Sequence, residues 1–351
     1  MIDLDDPAAV AKADPGGMLA AVAALPEDCR KGYEAGRGVA GLPDAADVLS
    51  ITLCGMGGSA VAGDMVRALY IDRLGLPIDV VRSPILPEAA GPHSLVVAAS
   101  YSGNTAETLA SFEEAVRRGC RLVSVTSGGE LERRSNEAGV PVVPIPPGMQ
   151  PRAALGFLGL GTLGALESIG VIPSLGPEID EAAGVLESLV AELGPDKPLN
   201  PAKELAKAIG ERVPIIWGAE GIGSLAAMRW KTQMNENGKR PAFWSSMSEL
   251  DHNELAGWGT ATGEPFFLII VRHPGEDPSI APRFPLSASL VAETAGLESR
   301  EIRARGDSAL SWLLSLIFFG DFTSVYSALL RGVDPTPVDV IERLKKSLAG
   351  A

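Results

Sequence analysis

Apolar and polar residues alternate in blocks along the chain, and the block lengths predict an architecture. ITLCGM (51–56), PIDVVRS (77–83), SLVVAAS (94–100), RLVSVTS (121–127) and PVVPIP (141–146) are short, rich in Val and Ile, and bounded by Gly, Pro or Ser. That is the pattern of buried strands. Stretches between them, such as AETLASFEEAVRRG, repeat their apolar positions at helical spacing. Strands alternating with helices predict right-handed crossovers and a mostly parallel sheet covered on both faces. From Arg152 to Gly170, an Ala-, Leu- and Gly-rich run reads as a helix that closes this domain.

The pattern then restarts. VPIIWGAEGIGSLAAMRWK (213–231) repeats the order of ITLCGMGGSAVAGDMVRAL: apolar strand, glycine-rich turn, serine, helix, with Ser224 in the place of Ser59. A second strand, FFLIIVR (266–272), follows, and then two long helical patterns at about 280–298 and 308–331. The expected fold is α/β, with two doubly wound domains whose mostly parallel sheets are flanked by helices. The expected boundaries are an N-terminal helical segment over 1–45, a first domain over 46–172, a connector over 173–200, a second domain over 201–336 and a C-terminal helix over 337–351.

Composition narrows the class. At 351 residues, 46% hydrophobic and 21% charged, the chain can fill two cores. A net charge of −14 argues against non-specific nucleic-acid binding, so any anionic ligand must be held locally. Cys29, Cys54 and Cys120 lack metal or redox spacing, which suits a reducing cytoplasm. No stretch approaches about 18 uninterrupted apolar residues, and MIDLDDPAAV lacks the start of a signal peptide. A cytoplasmic protein without membrane attachment is expected.

Candidate chemistry gathers at two strand-to-helix turns. GMGGSA (55–60) and SYSGNT (100–105) fall at the carboxyl ends of strands, where open parallel sheets bind ligands. Helix N-termini there offer N–H groups and partial positive charge, and hydroxyls add donors. Gly57, Ser59, Ser100, Ser102 and Thr105 are the expected phosphate cradle. Taken singly, Ser59, Ser102 and Thr105 read as helix caps; two such turns side by side favour a ligand. Asn104 reads as a cap or a turn holder. Gly55, Gly57 and Ala60 nominally fit a dinucleotide fingerprint, but Asp79 precedes the Val-Val core of the next strand and Arg82 stands nearer its end, so no acidic residue sits where the ribose needs one.

GMGGSA, SYSGNTAETL, PRAALGFL and above all NENGKRPAFWSSMSELDHNELAGW (235–258) resemble the sugar isomerase (SIS) domain superfamily, and within it the bifunctional phosphoglucose/phosphomannose isomerases of archaea and bacteria. The resemblance runs over essentially the whole chain and implies two SIS domains. It also implies interconversion of glucose 6-phosphate or mannose 6-phosphate with fructose 6-phosphate, without cofactor or metal, in a homodimer with shared active sites. Glu236 is then the base and His252 the ring-opening acid/base, donated across the dimer. Arg152 is the cation near the enediolate, and Lys345, with Lys346 beside it, reaches the sugar oxygens. Without the resemblance, Glu236 would read as a solvated surface group. Arg152 follows Pro151 and is expected in the first turn of its helix, where a cation is disfavoured unless an anion compensates. His93 and His273 read as turn residues, and the histidines show no zinc spacing. The family usually has Pro-Glu-Leu-Asn-His-Asn where this chain has Ser248 to Asn253, so Asp251 brings a negative charge beside His252. A sugar-phosphate sensor that has lost catalysis is the alternative, but the acidic first 45 residues do not suit a DNA-binding helix-turn-helix. No cysteine near the N-terminus points to glutamine hydrolysis.

Overall fold

Five strands form the first sheet of the computed structural model, which describes residues 2–349. They are β1 (Ser50–Cys54), β2 (Ile78–Val81), β3 (Ser94–Ser100), β4 (Arg121–Thr126) and β5 (Val142–Pro144), all parallel, in the order β2-β1-β3-β4-β5. The order reverses direction at β1, so the crevice between the ends of β1 and β3 is a switch point of the kind that binds ligands. β3 is buried along its whole length, as its unbroken apolar run requires of a central parallel strand. Register aligns Cys54 with Ala98 and Ser100 with Thr126, bringing the carboxyl ends of β1, β3 and β4 to one edge.

The second sheet has the order β7-β6-β8-β9, again parallel, from β6 (Val213–Ala219), β7 (Phe243–Met247), β8 (Phe266–Arg272) and β9 (Ser299–Arg303). Its switch point lies between β6 and β8. The two strands expected here, β6 and β8, are the inner pair; β7 and β9 are edges that the hydrophobic pattern did not reveal. β7 leaves Phe243 and Trp244 exposed and β9 is SREIR, so neither carries a buried apolar face.

The chain divides into two compact units. One comprises Ala24–Glu187 and Arg305–Leu314; the other comprises Met1–Ala23, Ser188–Ala304 and Ser315–Ala351. In the first unit, Val96, Ala98, Phe112, Ala115 and Leu131 form a buried cluster between sheet and helices. Helix Leu25–Arg37 crosses helix Gly161–Ile169 at backbone contact: a Cβ on Gly36 would stand 2.0 Å from the Gly161 carbonyl oxygen, so only glycine fits there. In the other unit, Trp217, Leu250, Trp258, Phe284 and Val291 build the core. Its helix Ile222–Glu236 is locked to helix Ala309–Leu330 by Trp230, whose indole donates to the Leu316 carbonyl at 2.8 Å. The same pair of helices buries an ion pair, Arg229 with Asp321 at 2.9 Å. Helix Ala309–Leu330 has the length and hydropathy of a membrane span but is wholly buried inside the fold. The expected connector is also built into the structure: helix Gly176–Leu193 buries Ile179, Ala183, Leu186 and Leu193.

The single helix expected from Arg152 to Gly170 is three pieces: a 3-10 turn (Pro151–Ala153), a π-helical segment (Gly156–Leu160) and an α-helix (Gly161–Ile169). Arg152 therefore sits in a separate turn ahead of the helix. Composition alone does not signal this, because Ala, Leu and Gly suit any of the three.

Candidate active site

The helices after β1 and β3 start at the switch point. Helix Gly58–Tyr70 is entered through Gly57, whose φ of +52° lies in the region that favours glycine, and helix Ala106–Arg117 is entered through Thr105. Neither is capped by a side chain. Ser59 lies inside the first turn, and its hydroxyl accepts from the Tyr101 N–H at 3.1 Å, tying the two turns together. The Thr105 hydroxyl meets that of Ser100 at 2.9 Å. With no side chain closing either helix N-terminus, each keeps the partial positive charge that suits an anion.

The two turns are held from outside. Asn104 accepts from the Glu130 N–H at 3.1 Å, in the first turn of helix Gly129–Ala138, and donates to the Ser102 carbonyl at 3.0 Å, so it caps that helix and holds its own turn. Gly103 has a φ of +67°, and a Cβ there would lie 1.8 Å from the Gly128 carbonyl oxygen. The SYSGNT and SGGE turns are thus in backbone contact. Ser102 itself is exposed. Tyr101 extends the arrangement: its hydroxyl donates to the Pro146 carbonyl at 3.0 Å and accepts from the Met149 N–H at 2.7 Å, fixing the loop that leads to Arg152.

Arg152 is 3% exposed and donates to Gln150 Oε1 at 3.2 Å. The neighbouring Pro151 carbonyl is against the cradle, since a Cβ on Gly58 would lie 3.1 Å from it. The first unit therefore brings Gly57, Ser59, Ser100, Ser102, Thr105 and the Arg152 turn to one sheet edge. Behind that turn, Gly156 packs on the backbone of Asp28. Burial raises the Asp28 carboxyl to about 6; Lys31 opposes this and Glu27 adds to it.

Glu236, His252 and Lys345 belong to the other unit. Glu236 ends helix Ile222–Glu236, and the loop after it is pinned residue by residue. Asn237 is fully buried and donates to Ser324 Oγ at 3.0 Å. Arg240 reaches the Gly210 carbonyl at 2.7 Å. Lys239, with a φ of +51°, turns its ammonium back to the Glu236 carbonyl at 2.6 Å and across to the carbonyls of Pro335, at 3.0 Å, and Pro337. Lys239 thus joins the end of the Glu236 helix to the turn before helix Asp339–Ala349, on which Lys345 and Lys346 are both exposed.

His252 closes the short helix Glu249–His252 and is exposed. The Met247–Ser248 peptide before this helix is cis. The extra acid, Asp251, accepts from Ser287 Oγ at 2.8 Å and faces Arg283 at 3.5 Å, so its charge is compensated by helix Arg283–Ala295. His273 follows β8 at the start of a turn, as expected, and is 9% exposed there, with burial lowering its proton affinity. It lines a cavity of about 290 Å³ at the second switch point together with Glu220, Glu249, Glu276 and Asp277. That acidic lining repels phosphate, and Ser224, the counterpart of Ser59, bonds back to its own turn at Gly221 O, 3.2 Å away. The repeated motif therefore keeps its fold in the second unit without its cradle. His93 is exposed and contacts the Asp47 carbonyl. Among the described residues, no group of three or more His, Cys, Asp or Glu is placed to hold a metal ion.

Tyr101, Lys239 and Glu254 were not singled out by sequence; each lies inside a motif that was. Comparison with known proteins accounts for the motifs. The family model for the bacterial phospho-glucose isomerase C-terminal SIS domain matches residues 199–348. A bifunctional phosphoglucose/phosphomannose isomerase of Caldicellulosiruptor bescii is 36% identical over 95% of this chain and 99% of its own length. One from Thermoplasma acidophilum is 35% identical over 86% of this chain and 90% of its own. Among solved structures, the C-terminal domain of glucosamine-fructose-6-phosphate aminotransferase from Francisella tularensis matches with a TM-score of 0.69 at 16% identity, over 91% of this chain and 98% of that one. At that identity the likeness carries the fold alone.

Proposed function

Because the chain belongs to the family of bifunctional phosphoglucose/phosphomannose isomerases, we propose that it interconverts glucose 6-phosphate and mannose 6-phosphate with fructose 6-phosphate. The observation that carries this reading is the cradle: bonded hydroxyls of Ser100 and Thr105, with Ser59 beside them, over two uncapped helix N-termini at a switch point. A phosphate has the charge and the acceptors such a place favours.

The chemistry follows from the substrate. The cyclic sugar must first open, and His252 moves the proton between the anomeric hydroxyl and the ring oxygen. Glu236 then takes the proton from C2 of the open aldose. The electrons form a C1–C2 double bond and leave negative charge on O1, which the Arg152 guanidinium stabilises. A proton then passes from O2 to O1, moving the negative charge to O2, and returning the C2 proton from Glu236 to C1 leaves the carbonyl at C2, which is the ketose. C2 is planar in the enediolate, so glucose and mannose derivatives share one intermediate, and one base serves both. Lys345 binds sugar oxygens. The protein works as a homodimer in which His252 serves the partner's substrate; its exposure on its own subunit supports this. All three cysteines are free, in keeping with a reducing cytoplasm.

Replacing Glu236 by Gln keeps shape and removes the base. Turnover with either hexose 6-phosphate should fall about 10²-fold or more with little change in binding. Exchange of the C2 hydrogen with solvent deuterium, followed by NMR, should fall with it. Wild-type exchange in Glu236→Gln would refute the assignment.

A further inference from the structure

We propose that Glu254 is the positioning residue for His252, and that it acts by anchoring the histidine's backbone to the core rather than by moving a proton. The proposal rests on His252 being the ring-opening group.

Glu254 opens the short helix Glu254–Gly257, two residues past His252. Its Oε1 accepts from the indole of Trp217 at 2.9 Å and from that of Trp258 at 3.3 Å, and its Oε2 accepts from the Ser245 hydroxyl. Trp217 is a fully buried residue of β6, Ser245 belongs to β7, and Trp258 stands edge-on to Phe266 of β8 with centroids 5.5 Å apart. One carboxylate thus ties β6 and β7 to the helix that follows the histidine, and Trp258 carries the link to β8.

The other side is equally fixed. Leu250 is 1% exposed in the core, Asp251 is held by Ser287, and Asn253 bridges the Glu254 N–H at 2.6 Å and Glu249 Oε1 at 2.7 Å. His252 is exposed, as are Glu249 and Asn253, but its neighbours are all tied down, so its backbone has little freedom although its imidazole is open. A carboxylate has about four acceptor positions, and three donors already point at this one, which suits an anchor and not a base. Glutamine would keep Oε1 for both indoles and present an amide where Ser245 can accept instead of donate.

The test compares Glu254→Gln, Glu254→Ala, His252→Ala and the double variant Glu254→Ala/His252→Ala on two substrates. One is cyclic glucose 6-phosphate. The other is a tetrose 4-phosphate, whose phosphorylated O4 denies it a ring, read by exchange of its C2 hydrogen in D₂O. Glu254→Gln should stay within about threefold of wild type on both. Glu254→Ala should lose at least tenfold on the cyclic sugar and stay within about threefold on the tetrose, as should His252→Ala, and the double variant should be no slower than His252→Ala. The proposal is overturned if Glu254→Gln is as slow as Glu254→Ala, if both substrates suffer equally, or if the two losses multiply. Should Glu254→Ala not fold, Trp258→Phe, which removes one donor and keeps a ring, takes its place: a smaller loss confined to the cyclic sugar supports the anchor, and no loss or an equal loss on both substrates refutes it. If His252→Ala turns over the cyclic sugar at the wild-type rate, the functional reading fails and the proposal falls with it; if only the Glu254 variants depart from the expected pattern, the proposal alone fails.

Discussion

The hydroxyls of Ser100 and Thr105 share one hydrogen bond, 2.9 Å long, across the turn that ends β3. A pair bonded in this way is already oriented before an anion arrives. Hydrogen bonds to charged groups are worth about 1.5–3 kcal/mol each. Replacing Ser102 and Thr105 by alanine should therefore raise KM for fructose 6-phosphate at least tenfold. Ser102 is exposed and Thr105 half-buried, so the melting temperature should change by only a few degrees. Steady-state kinetics beside a thermal melt decides it, and an unchanged KM removes the hydroxyls from the cradle.

Shared sites predict complementation. An inactive Glu236→Gln subunit refolded with an inactive His252→Ala subunit should form dimers with one site that has both groups intact. Part of the activity should return. Verified mixed dimers that stay inactive would mean that each histidine serves its own subunit.

Lys239 predicts a coupled loosening. Its ammonium holds the Glu236 carbonyl and the Pro335 and Pro337 carbonyls at once. Lys239→Met removes all these bonds and should lower kcat about tenfold while destabilising the fold by about 1–3 kcal/mol. Hydrogen exchange by mass spectrometry should rise together at residues 234–240 and 335–341. A rise in only one of the two segments would show that the lysine does not join them.

Asp28 predicts a pH-dependent stability. Its carboxyl is raised from 3.8 to about 6, chiefly by burial, so the folded chain prefers the neutral acid. The stability from that preference is complete below about pH 3.8 and disappears as pH rises through about 6. Asp28→Asn should therefore gain on the wild type between pH 4.5 and pH 7.5, by at most about 3 kcal/mol, since a tenfold change in proton affinity is worth about 1.4 kcal/mol. Melting curves at the two pH values check it; a gap that narrows toward neutral pH contradicts the burial.

The first sheet was legible because all five strands carry short apolar runs rich in Val or Ile, and so were β6 and β8. β7 and β9 were not, since an edge strand with Phe243 and Trp244 in solvent, or one reading SREIR, has no buried face to print a pattern. The place of Gly57, Ser59, Ser100, Ser102 and Thr105 at strand ends could be read from the sequence. What they bind within the protein could not: Ser59 accepts from the Tyr101 N–H, 42 residues away in sequence. Arg152 was expected inside a helix, and the break into 3-10 and π segments depends on packing against Asp28 and its neighbours that spacing does not encode. Glu254 passed unnoticed for a similar reason. Its partners Trp217, Ser245 and Trp258 come from separate stretches that only the folded sheet assembles.

The contact between the Gly103 and Gly128 turns bears on transplantation. A methyl at position 103 would sit 1.8 Å from the Gly128 oxygen, and one at Gly129 would sit 2.4 Å from the Ser102 oxygen. The two turns interlock like tongue and slot, each moulded by the other's missing side chain. SYSGNT grafted alone onto a foreign parallel sheet would lose the surface that gives it its curve. A designer who wants this turn geometry must move the SGGE turn with it, at the register of β3 and β4.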